Sequence, residues 1–522
     1  MHRSLQVFCK TIDAQGVGWM ATVAEPVVHG KAVESQLKTN TLSLFDSTVI
    51  ATSSVAPAYT LAATAAFLVA AVGLASPAAI LLGFLPVLCI AIAYYYLNRM
   101  DPNCGASYAW VSRTLNPYVG WLSGWVQFAA NILFCASAPI LGGTYTLLLL
   151  NSLFPGQITT DAASNKYWIA AVGVMWLALV TFMVVRGIRI TANFQWVLVF
   201  IEILVVVGFA IAALVKATTG HPSTSFSGSW FSFGSLGGLS GATAGAALAV
   251  FFFWGWDTAA NINEETKDAD RSPGRAGILS MFILLFIFLL MIVALQMFLS
   301  QSALNDPNNQ ADILYYFAQQ LASSPISYLM ILAVLSSTVA TTQTTLLPSS
   351  RLSFSMARDG VFPRAFGHVH PQWRTPWLGT VISSAAALVI ILVTLFSDSV
   401  SKVFGNLILN IGVLVAVYYG ITGLASTWAF RKVLFSSVRL LLFAGILPLL
   451  GGLLLLAIGG YVTYVAWTTD ITTALPVLVT IALGLPLLLL AVVTNRSGFF
   501  REKTVSYVMV DGRLTASPAP IS

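Results

Sequence analysis

Charge is what this chain lacks: Asp, Glu, Lys and Arg make up 8% of its 522 residues while 57% are hydrophobic, against roughly 25% charged in a soluble domain. So little charge cannot cover a water-facing surface, which excludes a soluble globular protein. The five histidines, His2, His29, His221, His368 and His370, all fall in polar segments, so no metal site or Ser–His pair can be assembled within the apolar runs. The four cysteines, Cys9, Cys89, Cys104 and Cys135, show neither disulfide nor metal spacing. No phosphate-cradling glycine loop signals ATP, no lipidation motif is present, and residues 1–40 lack the compact apolar core of a secretory signal. No cofactor, metal or catalytic residue is expected. The net charge of +6 is no nucleic-acid signature, because the basic residues gather at the edges of apolar runs.

What the chain has instead is apolar runs of about 20 residues, each able to cross a ~30 Å hydrocarbon core as a helix rising ~1.5 Å per residue. Twelve are predicted: about 45–71, 76–98, 118–150, 166–186, 190–215, 237–265, 276–300, 325–355, 376–397, 402–430, 437–464 and 472–494. With that count, all but three of the 25 Lys and Arg residues fall on one side, leaving Lys166, Lys216 and Lys402 on the other. The basic side is the cytoplasmic one, which places both termini inside. Residues 1–41 and 495–522 are read as cytoplasmic tails around one membrane domain, 42–494. Residues 218–233 read as an ordered external loop, and 312–321 as a short surface helix capped by Asp312.

Two spans carry interruptions. FFFWGWDTAANINEETKD, residues 251–268, sets Gly255 near mid-span, with Trp256 and Asp257 following, and Asp257 is placed to cap a second half-helix. TSSVAPAYT, residues 52–60, predicts a half-helix ending near Ser53, a turn through Ser54, Val55 and Ala56, and a new half-helix at Pro57. A lone Pro or Gly in a membrane helix is usually only a kink. Here a deep carboxylate lies beside one break, paired hydroxyls beside the other, and the two spans are five apart. Broken backbone at mid-depth survives only against protein or a water-filled cavity, and such breaks in corresponding positions of two halves point to a transporter's binding site. Free carbonyls end one half-helix and free amides begin the next, which suits a zwitterion.

Of the 19 acidic residues, only Asp257 and Glu202 lie deep in a span, and no Lys, Arg or His does. A carboxylate at that depth costs about 3 kcal/mol or more. Asp257 is read as attracting an amine or gating its passage, with a structural cap as the plain alternative. Glu202 is read as a proton carrier, the plain alternative being a protonated carboxyl hydrogen-bonded to a neighbouring helix. In LSSTVATTQTT, residues 335–345, Ser337, Thr341 and Thr344 share one helical face. That face either binds helices together or lines the cavity, where Ser337 would help a cation or proton site.

The segments FFFWGWDTAANINEETKDADRSPGRA, CGASYAWVSRTLNPYVGWLSGW at 104–125 and SRLSFSMARDGVFPRAF at 350–366 carry a family likeness. In that order and spacing the chain resembles the amino acid, polyamine and organocation permeases, secondary transporters of the leucine-transporter-like fold, over about residues 42–494. The resemblance implies an all-α integral membrane protein with two inverted five-span repeats, about 45–215 and 237–430. Helices one and six would be broken, and two peripheral helices, about 437–494, would be added outside. It also implies that the backbone of Ser53, Ser54, Val55, Ala56 and Pro57 receives a substrate carboxylate, while Trp254, Gly255, Trp256 and Asp257 border the amine and side chain. Gly105, Arg351 and Asp359 match loop architecture. The chain departs from many relatives in having SSVAP where they have a glycine-rich break. With Gln195 aligned, Glu202 stands where several relatives carry a lysine in place of a sodium ion. Coupling to a proton or ion is assigned to Glu202, Ser337 and Thr341.

The expected function is import of a small amine-bearing solute, an amino acid first, by proton-coupled alternating access across the cell membrane. Polyamine or cationic amino acid transport, amino acid exchange and sodium coupling are the alternatives; a channel is the rival of a different class. Two deep carboxylates without a deep base favour a positive group on the solute. The expected partners are that solute, a proton and the lipid bilayer, with no nucleic acid, and the chain is not read as an enzyme.

Overall fold

A computed structural model of the chain describes residues 37–154, 165–220, 222–306, 309, 312–396, 400–469, 471–494, 497–502, 504–510 and 513–518. The expectations for the tail through residue 36, with His2, Cys9 and His29, and for His221, Arg496 and Lys503 lie outside the described residues.

The described residues are helical almost throughout. α1 (Leu44–Val55) opens at a capping box: Ser43 Oγ accepts from Asp46 N–H, and the Asp46 carboxylate accepts from Ser43 N–H at 2.9 Å. α2 (Pro57–Val72) follows after one residue, and a turn at Gly73–Ala75 leads into α3 (Ser76–Met100). Then come α4 (Ser107–Thr114), α5 (Pro117–Leu153), α6 (Lys166–Arg186), α7 (Ile188–Thr219), α8 (Gly238–Phe252) and the single turn α9 (Thr258–Asn261). α10 (Ser272–Phe298), α11 (Ile313–Leu321), α12 (Tyr328–Arg358), α13 (Trp377–Thr394), α14 (Val400–Phe430), α15 (Val438–Thr469) and α16 (Ile471–Thr494) complete the helices that matter here. Among the described residues, ten helical stretches are long and apolar enough to cross a membrane, the first being all of Leu44–Met100; α8 is equally apolar but shorter.

Each helix sorts its faces by surroundings. On α7, Phe200, Leu204, Ile211 and Val215 are exposed, while Glu202, Val206, Ala210 and Ala213 are buried, so Glu202 faces protein. α16 leaves Leu483, Leu485, Leu489, Leu490 and Val493 exposed, as suits a peripheral helix in hydrocarbon. Lipid provides no hydrophobic force between helices, so close fit must hold them. Where α5 meets α6, a Cβ on Gly143 would stand 2.1 Å from the Ile169 carbonyl oxygen. α12 is buried along most of its length and packs against α5, α7 and α1, the position from which its hydroxyl-rich face meets the first break.

Three local expectations are revised. Residues 218 and 219 of the expected loop belong to α7, which runs to Thr219; beyond it Ser223 N–H donates to Met297 O at 2.9 Å and Trp230 is buried. Asp312 precedes α11 with φ −142° and ψ 37° and makes no side-chain cap bond; burial of Ile313, Leu314, Phe317 and Ala318 positions that helix instead. The tail after α16 contains an antiparallel hairpin, β1 (Val505–Val510) with β2 (Arg513–Pro518), whose Tyr507 is buried with its ring 5.0 Å from that of Phe430. β1, VSYVMV, thus packs against α14, and is too short in sequence to announce itself as a span.

Candidate functional site

The first break is narrower than predicted. α1 runs on through Ser53 and Ser54 to Val55, because Ala56 N–H still reaches Thr52 O at 3.2 Å. Ala56 alone takes the left-handed conformation, φ 55° and ψ 74°, and Pro57 starts α2, where its missing N–H costs nothing. The next two amides are already paired. Ala58 N–H donates to Glu202 Oε1 at 2.7 Å and Tyr59 N–H to Ser337 Oγ at 3.0 Å, and the Ser337 hydroxyl donates to the same Glu202 Oε1 at 2.6 Å. Glu202 therefore caps the second half-helix from another span, its charge set against the positive end of the helix dipole. Its Oε2 is buried without a partner. On the other side of the break, Thr341 Oγ1 donates to Ser54 O at 2.9 Å, Thr60 Oγ1 to Val55 O at 2.6 Å, and Ser53 Oγ to Gln195 Oε1. Thr344 bonds only to its own helix.

At the second break α8 ends at Phe252, Gly255 adopts φ +113°, and α9 begins at Thr258. The two breaks touch. A Cβ on Gly255 would lie 2.7 Å from Ser54 O and 3.1 Å from Ser54 Oγ, and Ser54 Oγ is 2.8 Å from Thr258 Oγ1. This close approach, together with the positive φ, is why the position takes glycine.

Asp257 does not cap α9. Its backbone is already helical, φ −67° and ψ −12°, whereas an N-cap residue is extended, and its carboxylate turns to other partners. Oδ2 accepts from Tyr418 Oη at 3.0 Å and Gln127 Nε2 at 3.3 Å, and Oδ1 accepts from Tyr419 Oη at 2.9 Å. Trp254 Nε1 donates to Tyr418 Oη at 2.7 Å.

A cavity with about 220 Å³ of empty space lies where the breaks meet, lined by Ser54, Gln127, Asn131, Trp254, Gly255, Asp257, Thr258, Thr345 and Pro348. No basic side chain lines it. Of the predicted site residues, Ser54, Trp254, Gly255 and Asp257 reach it. Ser53, Val55, Ala56 and Pro57 lie behind it, and Trp256 packs away from it with its ring 4.9 Å from that of Tyr94 and 5.5 Å from that of Tyr419. Glu202, Ser337 and Thr341 meet at the back of the first break. Sequence reasoning missed Gln127, Asn131, Tyr418 and Tyr419. The amides of Gln127 and Asn131 carried a usable signal, being four residues apart in an otherwise apolar run; the tyrosines carried none. A larger groove of about 1250 Å³ between α2, α8, α14 and α15 is lined mainly by apolar side chains such as Phe67, Leu248, Ile408 and Val462, and no carboxylate reaches it.

The acidic cluster after α9 is structural. Fully buried Arg351 pairs with fully buried Glu265 through Nε to Oε2 at 2.9 Å and Nη2 to Oε1 at 3.1 Å. Arg358 forks onto Glu264 at 2.9 and 3.1 Å, and Cys104 N–H donates to Glu264 Oε1 at 3.0 Å. Burial pushes the Glu264 carboxyl up, but the Arg358 guanidinium and these hydrogen bonds outweigh it and hold the group below its ordinary range. The loop is thereby fastened to the end of α12, and Asp359 at that end accepts from Tyr108 Oη at 2.8 Å.

Comparison with known proteins finds membrane transporters. The chain is 28% identical over 366 residues to the low-affinity putrescine importer PlaP of Escherichia coli (strain K12), an alignment covering 68% of this chain and 74% of that one. It is 27% identical over 368 residues to the methylthioribose transporter of Bacillus subtilis (strain 168), covering 68% and 75%. Over 300 residues it is 23% identical to the branched-chain amino acid permease BcaP of Lactococcus lactis subsp. cremoris (strain MG1363), covering 56% and 62%. Residues 42–485, which include both breaks, Glu202 and Asp257, match the amino acid permease family. The chain belongs to that family, and is a multi-pass membrane transporter rather than an enzyme.

Proposed function

We propose that the protein imports a small amine-bearing solute, an amino acid first, by proton-coupled alternating access across the cell membrane with both termini cytoplasmic. The observation that carries this reading is the small cavity at the touching breaks, with the Asp257 carboxylate in its wall and no basic side chain beside it. An ammonium group is the natural partner for such a wall. Glu202, joined to the start of α2 and to Ser337, is the group we assign to the proton, with Thr341 steadying the same break. Twelve crossings follow if Leu44–Met100 counts as two and the broken α8–α9 segment as one more beside the other nine. Breaks in the first and sixth crossings are what a five-plus-five inverted repeat within 42–494 requires, leaving α15 and α16 peripheral.

A second reading, a polyamine or cationic amino acid as the solute, is favoured by a specific feature. The two amides that open α2 are taken by Glu202 and Ser337 and so are not open to a substrate carboxylate. The putrescine importer among the relatives points the same way.

The test is uptake of labelled leucine, lysine and putrescine into proteoliposomes under imposed proton or sodium gradients, with counterflow from preloaded vesicles. Saturable uptake raised by an inward proton gradient, and lost in a folded Asp257→Asn protein, is expected. Glu202→Gln should keep counterflow but lose gradient-driven accumulation. Non-saturating flux, or accumulation driven by sodium alone, would refute the proposal.

A further inference from the structure

We infer that Tyr418 is a positioning residue that links an amine bound at Asp257 to the aromatic row beside the cavity, and through that row to Glu202. The inference rests on the functional reading above and concerns how its two carboxylates communicate.

Tyr418 and Tyr419 are consecutive on α14, and each donates its hydroxyl proton to Asp257, at 3.0 and 2.9 Å. Their second contacts differ. The Tyr418 hydroxyl also accepts from Trp254 Nε1 at 2.7 Å, whereas Tyr419 meets Trp256 through its ring, 5.5 Å between centroids. A phenol has one proton to give. While that proton sits on Asp257, the lone pairs of the Tyr418 oxygen are held toward the Trp254 indole. An ammonium arriving at Asp257 competes for the same carboxylate oxygens, and a displaced Tyr418 hydroxyl no longer holds the indole in place.

Trp254 is where a contiguous set of contacts begins. Its ring lies 5.2 Å from that of Phe134 in an edge-to-face arrangement, and Phe134 lies 5.2 Å from Tyr59 in the same manner. Tyr59 is in the first turn of α2; its N–H donates to Ser337 Oγ, which in turn donates to Glu202. Movement of the indole is therefore transmitted to the half-helix that Glu202 caps. The Tyr419 ring packs on that of Tyr418 at 4.7 Å, but its hydroxyl makes no hydrogen bond to Trp254 and the Trp256 ring it also touches packs toward Tyr94, so of the two tyrosines only Tyr418 ties Asp257 to the Trp254 indole by a hydrogen bond. Contiguity alone does not establish coupling, so the test compares two variants that lose the same atom from adjacent residues.

Full-length protein in proteoliposomes, with labelled putrescine and labelled lysine as probes under an inward proton gradient, gives KM and Vmax for wild type, Tyr418→Phe and Tyr419→Phe. Each variant removes one donor that competes for Asp257, so each should lower KM about tenfold or more, the size of one hydrogen bond to a charged group. Only Tyr418→Phe should also lower Vmax, by about tenfold or more. Trp254→Phe, which retains a ring but deletes the N–H, should reproduce that Vmax loss without the fall in KM, and it supplies the result if Tyr418→Phe does not fold. Equal Vmax in the two tyrosine variants, or a normal Vmax in Trp254→Phe, overturns the inference. An Asp257→Asn protein that transports both probes normally overturns the functional reading instead.

Discussion

Replacing Gly255 with alanine tests whether the two breaks are pressed together. The added Cβ would sit 2.7 Å from the Ser54 carbonyl oxygen and 2.9 Å from its carbon. Both are backbone atoms, and that oxygen is tethered by Thr341 Oγ1 at 2.9 Å, so the obstacle cannot rotate aside as a side-chain tip would. Overpacking of this kind costs about 1–3 kcal/mol, and a side chain at φ +113° adds about 1–2 kcal/mol. Together they predict a loss of about 2–5 kcal/mol, against a total stability of order 5–15 kcal/mol for a folded domain. Transport should fall further than stability, because the breaks must separate to admit the methyl group. Gly208→Ala is the control: it lies inside α7 with no atom within 4 Å of its Cβ position, and alanine there should change stability by no more than about 1 kcal/mol, in the favourable direction. Thermal unfolding in detergent and uptake by proteoliposomes read the two effects separately. If Gly255→Ala matched Gly208→Ala in both, the breaks would not be in contact and the site as described would be wrong.

Two further predictions concern the loop fastened to α12. Arg351→Met or Glu265→Gln alone leaves one buried charge uncompensated and should cost about 3–5 kcal/mol, while the paired Arg351→Met, Glu265→Leu protein should regain most of that loss; unfolding midpoints of the three decide it. The Glu264 carboxyl, held below its ordinary value of 4.5 in the folded protein, contributes stability that is fully present above that value and is lost as the pH falls from it through the lower value of the folded state. Arg358→Gln should flatten this acid-side decline in a pH series of melting curves, and an unchanged slope would assign the decline to another group.

Much of the architecture was legible in the chain because hydrocarbon imposes simple conditions on it. Apolar runs of spanning length, basic residues at their edges, and a proline and a glycine at two mid-span positions are local properties. They indicated nearly every long helix, both breaks and the two deep carboxylates. Local chemistry also has limits, and Asp257 shows them: beside Thr258 it has the composition of a helix cap, yet its carboxylate is claimed by tyrosines some 160 positions away. Pro57 announced the start of α2, but only packing could reveal that its first amides are met by Glu202 and Ser337 rather than left open.

Composition and spacing thus specified a membrane transporter with two interrupted helices, since a lipid environment penalises every unpaired backbone group and every charge wherever it lies in sequence. Which side chains satisfy those groups was decided by three-dimensional packing. Asp257 meets Tyr418, Tyr419 and Gln127, Glu202 meets Ala58, and Ser54 meets Gly255, because helices distant in sequence are brought within hydrogen-bonding distance, about 3 Å, where one partner excludes another.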